Sequence, residues 1–108
     1  MADALSTLSA GRFTPALGET FTFRDLGGPA LTATLARCDE HPRATMPGSP
    51  RTAFALVFTC PMETAGAYRG GHGVLSHPTL GEIGPLYVER VLPLGFPPGT
   101  ASYEALFS

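Results

Sequence analysis

The chain has 108 residues and a formal charge of −2; only 15% of its residues are charged, and all seven basic side chains are arginine. That length suits one domain burying roughly two thirds of the surface its unfolded chain exposes, so a core needs neither metal nor disulfide. The arginines, from Arg12 to Arg90, form no run, which excludes the electrostatic footprint of a nucleic-acid binder.

The opening MADALSTLSAGRF has no basic leading region and no apolar stretch of signal-peptide length, and no segment reaches the ~20 apolar residues a membrane-spanning helix needs. Cytoplasmic synthesis without a secretion leader is therefore expected, any export occurring inside a larger particle. Neither a membrane nor a nucleic-acid partner is expected.

In chain order, residues 1–11 read as an N-terminal turn or flexible arm, where LSTLSAGRF makes a single helical turn capped by Ser6 or Thr7. TPALGETFTFRDL brings a Pro-Gly turn and a strand with Phe21 and Phe23 on one face. After the turn GGP, the run LTATLARC sets Leu31, Ala33 and Leu35 against Thr32, Thr34 and Ala36, the alternation of a half-buried strand. DEHPRATMPGSPR carries three prolines and mixed charge and reads as a surface loop. TAFALVFTCP is the strongest strand: Phe54, Leu56, Phe58 and Cys60 face one way and Ala55 and Val57 the other, apolar on both sides as a central strand requires.

METAGAYRGGHG is expected to begin as a short helical turn that its glycines stop, with RGGHG a flexible turn. VLSHPTLGEIG reads as a strand, a turn that Pro78 marks by holding His77 extended, and a second turn near Gly81 and Gly84. PLYVERVLPL is a strand, GFPPGT a tight loop, and ASYEALF a last strand that puts Tyr103, Ala105 and Phe107 into the core and pairs with YVERVL. The 13 glycines and 11 prolines fall between short alternating runs, without an internal repeat or a linker. The fold class is all-β: a small antiparallel sandwich or partly open barrel of six to seven strands, in one domain spanning residues 1–108.

A catalytic site needs a nucleophile or base, a group to orient it and a pocket. His41, His72 and His77 are the candidate bases or ligands, but His72 and His77, five apart in an extended strand, point to opposite faces and match no zinc spacing. Cys60 is the one credible nucleophile, and burial at the end of the most apolar strand would raise its thiol pKa and make it inert. Cys38 and Cys60 could form one bridge; in a leaderless chain two thiols packed as small hydrophobes are the expectation. No nucleophile elbow or phosphate loop is present, Asp39 and Glu40 read as a solvated pair, and Glu82 and Glu89 form no pattern. No catalytic, cofactor-binding or metal-binding residue is assigned, and the chain is read as a non-enzyme.

FTPALGETFTF, FALVFTCP, HPTLGEIGPLYVERVLPLG and the closing YEALF resemble, in that order, a small bacterial family described only as a domain of unknown function. Its pattern is a leading F-x-P-x-L-G-x-x-F, a central F-x-L-x-F-x-G-P, an H-P-x-L-G turn and a terminal Y-E-A-V-F, and here Cys60 stands in place of the central glycine. The resemblance implies the strand-and-turn fold and, because the family resembles an accessory of phage-tail-like gene clusters near tail-collar-type proteins, an assembly or adaptor role.

The function expected is a structural or interaction module that self-assembles or docks on a larger particle through a protein partner or copies of itself. Weakly charged β edges without lysine would carry the pairing. A chaperone-like partner of a neighbouring gene product would look the same in sequence. The alternative is a small-molecule-binding barrel or minor enzyme, with Tyr68, His72, His77 and Tyr87 lining its mouth.

Overall fold

A computed structural model describes residues 8–48 and 51–107. Six strands are formed, β1 (Thr20–Asp25), β2 (Ala30–Glu40), β3 (Phe54–Pro61), β4 (Gly70–His77), β5 (Gly81–Val91) and β6 (Thr100–Phe107), with two one-turn helices, α1 (Ala10–Phe13) and α2 (Met62–Ala65). All strand pairs are antiparallel and close into a barrel in the order β1-β2-β3-β6-β5-β4. The all-β class is as the sequence patterning predicts, and the barrel is closed instead of partly open.

The alternation in each strand sorts the barrel wall. Phe21, Phe23, Leu31, Leu35, Leu56 and Phe58 point inward and are buried, whereas Thr20 and Thr32, on the other parity, are exposed. β3 is the axis of the sheet. It pairs along its whole length with β6, from Phe54 opposite Phe107 to Pro61 opposite Thr100, and with β2 on its other side, across a bulge between Leu35 and Arg37. As expected, Tyr103, Ala105 and Phe107 enter the core. The expected pairing of β6 with β5 exists but is short, Glu89 to Val91 opposite Glu104 to Ser102, so β3 is the main partner that a reading of neighbouring segments misses.

The segment after Leu8 closes one end of the barrel. Phe13 is fully buried, with its ring centroid 5.9 Å from those of Phe54 and Phe107, which stack on each other at 4.5 Å. Such aromatic pairs add about 0.5–1.5 kcal/mol each beyond the area they bury. Within the stretch read as an arm, Leu8 and Ala10 are buried, so residues 8–11 belong to this plug. The helical turn is present, but Ser9 stands at its N-cap without a side-chain cap bond; Ser6 and Thr7 lie outside the described residues.

Two further expectations are corrected. RGGHG is not a turn: its glycines open β4, because a Cβ at Gly73 would strike the Arg24 carbonyl and the Phe23 ring of the adjoining strand. Gly84 makes no second turn; it sits inside β5 with φ +141°, at a close approach to the Gly73 carbonyl where a side chain would be strained. Every strand has two neighbours in the ring, although β5 and β6 pair only over Glu89–Val91 and Ser102–Glu104.

Because β6 is both the longest-paired neighbour of β3 and the link to β5, it cannot be trimmed without opening the ring. Deletion of residues 103–108 is expected to abolish cooperative unfolding in far-UV circular dichroism against urea. A truncated chain with a sharp transition would show that the ring closes without β6.

Candidate functional site

The barrel interior is solid. Between Phe21, Phe23, Leu31, Phe58, Leu75, Val88 and Tyr103 only about 10 Å³ is left, too little to hold a water comfortably. Nor do the four residues expected at a common mouth meet. Tyr68 lies at the end where β1 finishes and β4 starts, His77 lies at the other end, and His72 and Tyr87 are an exposed cross-strand pair on the outer wall, their rings 5.0 Å apart.

The three histidines serve separate local purposes. His77 is a structural residue: its Nδ1 accepts from the backbone N–H groups of Thr79 and Leu80 at 3.1 and 3.2 Å, so Nε2 carries the proton and donates to Glu19 Oε1 at 2.7 Å. That ties the β4–β5 turn to the chain entering β1. His72 offers its backbone carbonyl to the Leu26 N–H, and His41 is exposed at the end of β2. Among the described residues no group of three or more His, Cys, Asp or Glu side chains is arranged to hold a metal ion.

At the Tyr68 end a polar network that sequence reading overlooked fastens the segment after α2 over the barrel. The Tyr68 hydroxyl donates a short hydrogen bond to Asp25 Oδ2, Asp25 Oδ1 accepts from the Gly27 N–H at 2.6 Å, and the Tyr103 hydroxyl donates to the Tyr68 carbonyl at 2.7 Å. Arg90 Nη1 donates to the Gly66 carbonyl at 2.7 Å. The Tyr68 hydroxyl, then the Gly27 N–H, hold the Asp25 carboxyl below its ordinary range, and burial followed by Asp25 pushes the Tyr68 phenol up. The visible signal was Asp25-Leu26-Gly27, an Asx turn in which the aspartate bonds the backbone two residues on. Every group in this network is spent on another, so it acts as a clasp.

Both cysteines are free thiols, and burial raises both, Cys60 and Cys38 alike. Cys60 borders an open cleft of about 570 Å³ on the outer wall, whose lining includes Thr20, Thr32, Thr34, Thr59, Thr64 and Thr100. Its lining holds hydroxyls but no acid, base or aromatic platform.

The outer wall of β6 and β5 is different. The loop 92–99 folds back over it: Arg37 Nη2, on β2, donates to the Leu94 carbonyl at 2.9 Å and its guanidinium lies 4.4 Å from the centre of the Phe96 ring. Val57 and Ser102, at outward positions, are buried: Val57 lies between Arg37 and Glu104 in the sheet, and Ser102 Oγ donates to the Val91 carbonyl at 3.1 Å. The loop forms a strap that displays Leu92 and Leu94, 77% and 71% exposed, while Leu106 on β6 is 66% exposed. Between strap and Leu106, Glu89 and Glu104 stand directly opposite each other across the β5–β6 ladder.

The chain is thus a closed, six-stranded barrel with a filled interior, and one of its exposed apolar surfaces is a strap with a flanking leucine and paired carboxylates. It belongs to the family described as Domain of unknown function (DUF6916), whose model matches residues 8–107. That span contains every motif on which the resemblance rested. Neither the curated proteins nor the solved structures contain a match to the chain.

Two outcomes are expected from these thiols and this clasp. Cys60 should react with a chromogenic disulfide reagent at least about tenfold more slowly in the native chain than in guanidinium; equal rates would show an accessible thiolate. The stability supplied by Asp25 is complete above about pH 4, its unfolded value, and is lost as pH falls through its lowered native value. The stability gap between the wild-type chain and Asp25→Asn, measured by urea unfolding, should therefore narrow below about pH 4. A gap unchanged down to acid pH would show that the carboxylate is not held.

Proposed function

We propose that this chain is a non-enzymatic docking module, an accessory subunit that joins a multi-protein assembly through the strap and the outer wall of β5 and β6. The observation that carries this reading is the exposure of three leucines, Leu92, Leu94 and Leu106, beside the β5–β6 ladder, whereas Leu26, Met46 and Met62 are exposed on other segments of the chain. Covering a leucine is worth about 1.5–3 kcal/mol. Three of them, two on the strap and one on β6, supply an apolar centre of the kind a polar rim surrounds in interfaces. Arg37 holds the strap in place before any partner arrives, which lowers the ordering cost of binding.

Each strand has two neighbours in the ring, and docking in this reading works through side chains. The finer setting, a bacterial phage-tail-like particle in which the chain is synthesised in the cytoplasm and carried out with the assembly, draws its support from the family likeness. Among the described residues no helix is long and apolar enough to cross a membrane. The reading is tested by light scattering over a hundredfold range of concentration, alone and with the products of adjacent genes. A defined complex is expected, lost in Leu92→Ser/Leu94→Ser/Leu106→Ser while the thermal midpoint stays nearly unchanged, as exposed positions allow. A monomer at every concentration that also binds none of those products would sink the proposal.

A further inference from the structure

The acidic pair at the centre of this surface says what kind of partner fits. On β5 the outward positions run Tyr87, Glu89, Val91, and on β6 they run Leu106, Glu104, Ser102, with Glu89 in register with Glu104 and Val91 with Ser102. The two carboxylates therefore sit between half-exposed Tyr87 and exposed Leu106 on one side and the leucines of the strap on the other. Like charges directly opposite on one face of a ladder are destabilising.

Among the described residues neither carboxylate forms an ion pair or side-chain hydrogen bond, whereas Arg24 pairs with Glu82, Arg90 donates to the Gly66 carbonyl, and Arg37, two strands away in the same row, is spent on Leu94 and Phe96. Side chains facing each other across a ladder stand about 5 Å apart at Cβ. One guanidinium fork can meet both carboxylates at that separation.

We infer that this surface receives a different protein chain, one that sets an arginine between leucine-sized apolar side chains, the cation landing on Glu89 and Glu104. The inference rests on the docking reading above and names its partner. A second copy of this chain seated face to face by a two-fold axis is disfavoured, since that symmetry would gather four carboxylates at one point without a cation between them. Apolar contact supplies the attraction, and the carboxylates reject partners that leave them unpaired.

The test uses the full chain with leucine methyl groups labelled for NMR and two probes, a short acetylated peptide alternating leucine and arginine and the same peptide with citrulline for arginine. The arginine peptide is expected to move the Leu92, Leu94 and Leu106 methyl signals and to bind at least about tenfold more tightly than the citrulline peptide, a difference near 1.4 kcal/mol. Glu89→Gln/Glu104→Gln should erase that preference, keep the citrulline binding, and raise the thermal midpoint by about 1–5 °C as the repulsion is removed. Equal binding of the two peptides at the leucines overturns the cation while leaving apolar docking in place. Binding of neither peptide at the leucines overturns both readings. A midpoint that falls in the glutamine variant shows that the pair has a partner within the fold and overturns the premise.

Discussion

The β3–β6 ladder is the constraint on which the rest of this molecule depends. It joins the most apolar strand to the last one over their full length, and it makes a ring out of what would otherwise be an open sheet. Closure fixes the interior volume, and the phenylalanines of β1 and β3, together with Tyr103, fill its centre to within about 10 Å³. It also gives each strand two neighbours, with β5 and β6 joined only over Glu89–Val91 and Ser102–Glu104.

Much of the architecture was legible because period-two alternation is a direct consequence of strand geometry. Phe21 with Phe23, Leu31 with Leu35, and Tyr103 with Phe107 declare their faces in the sequence, and the apolar character of both faces of β3 correctly marks it as central. Part of that second apolar face has a cause the sequence hides: Val57 lies opposite Arg37, whose side chain reaches to the loop 92–99. Glycine misled in RGGHG and at Gly84 for one reason. The same lack of a side chain that permits a turn also permits two backbones to come unusually close, and only the register tells which is meant.

The surface was less legible than the core. The leucines of LPLG read as a strand end, and their exposure follows from the reach of Arg37 across two strands, a contact 57 residues apart in sequence. The opposition of Glu89 and Glu104 is likewise a matter of register, invisible until β5 and β6 are aligned. The clasp of Tyr68 on Asp25 spans 43 residues. The histidines show the reverse: scarce and chemically versatile, they attract notice in a sequence, yet His77 works as a corner brace with both ring nitrogens engaged.

The plug has a consequence for how the barrel comes into being. Phe13 rests on Phe54 and Phe107, so residues near the two extremities of the described chain and one at its middle meet at a single point. Contacts so distant in sequence make nucleation slow, on the order of milliseconds to seconds for β topologies of this size. During synthesis β3 emerges with both of its faces apolar and waits, about forty residues later in the chain, for the strand that covers its flank. Until then it is a sticky segment exposed to its neighbours on the ribosome. The bulge between Leu35 and Arg37 on β2, its one early partner, twists that temporary ribbon and makes it a poorer template for other strands.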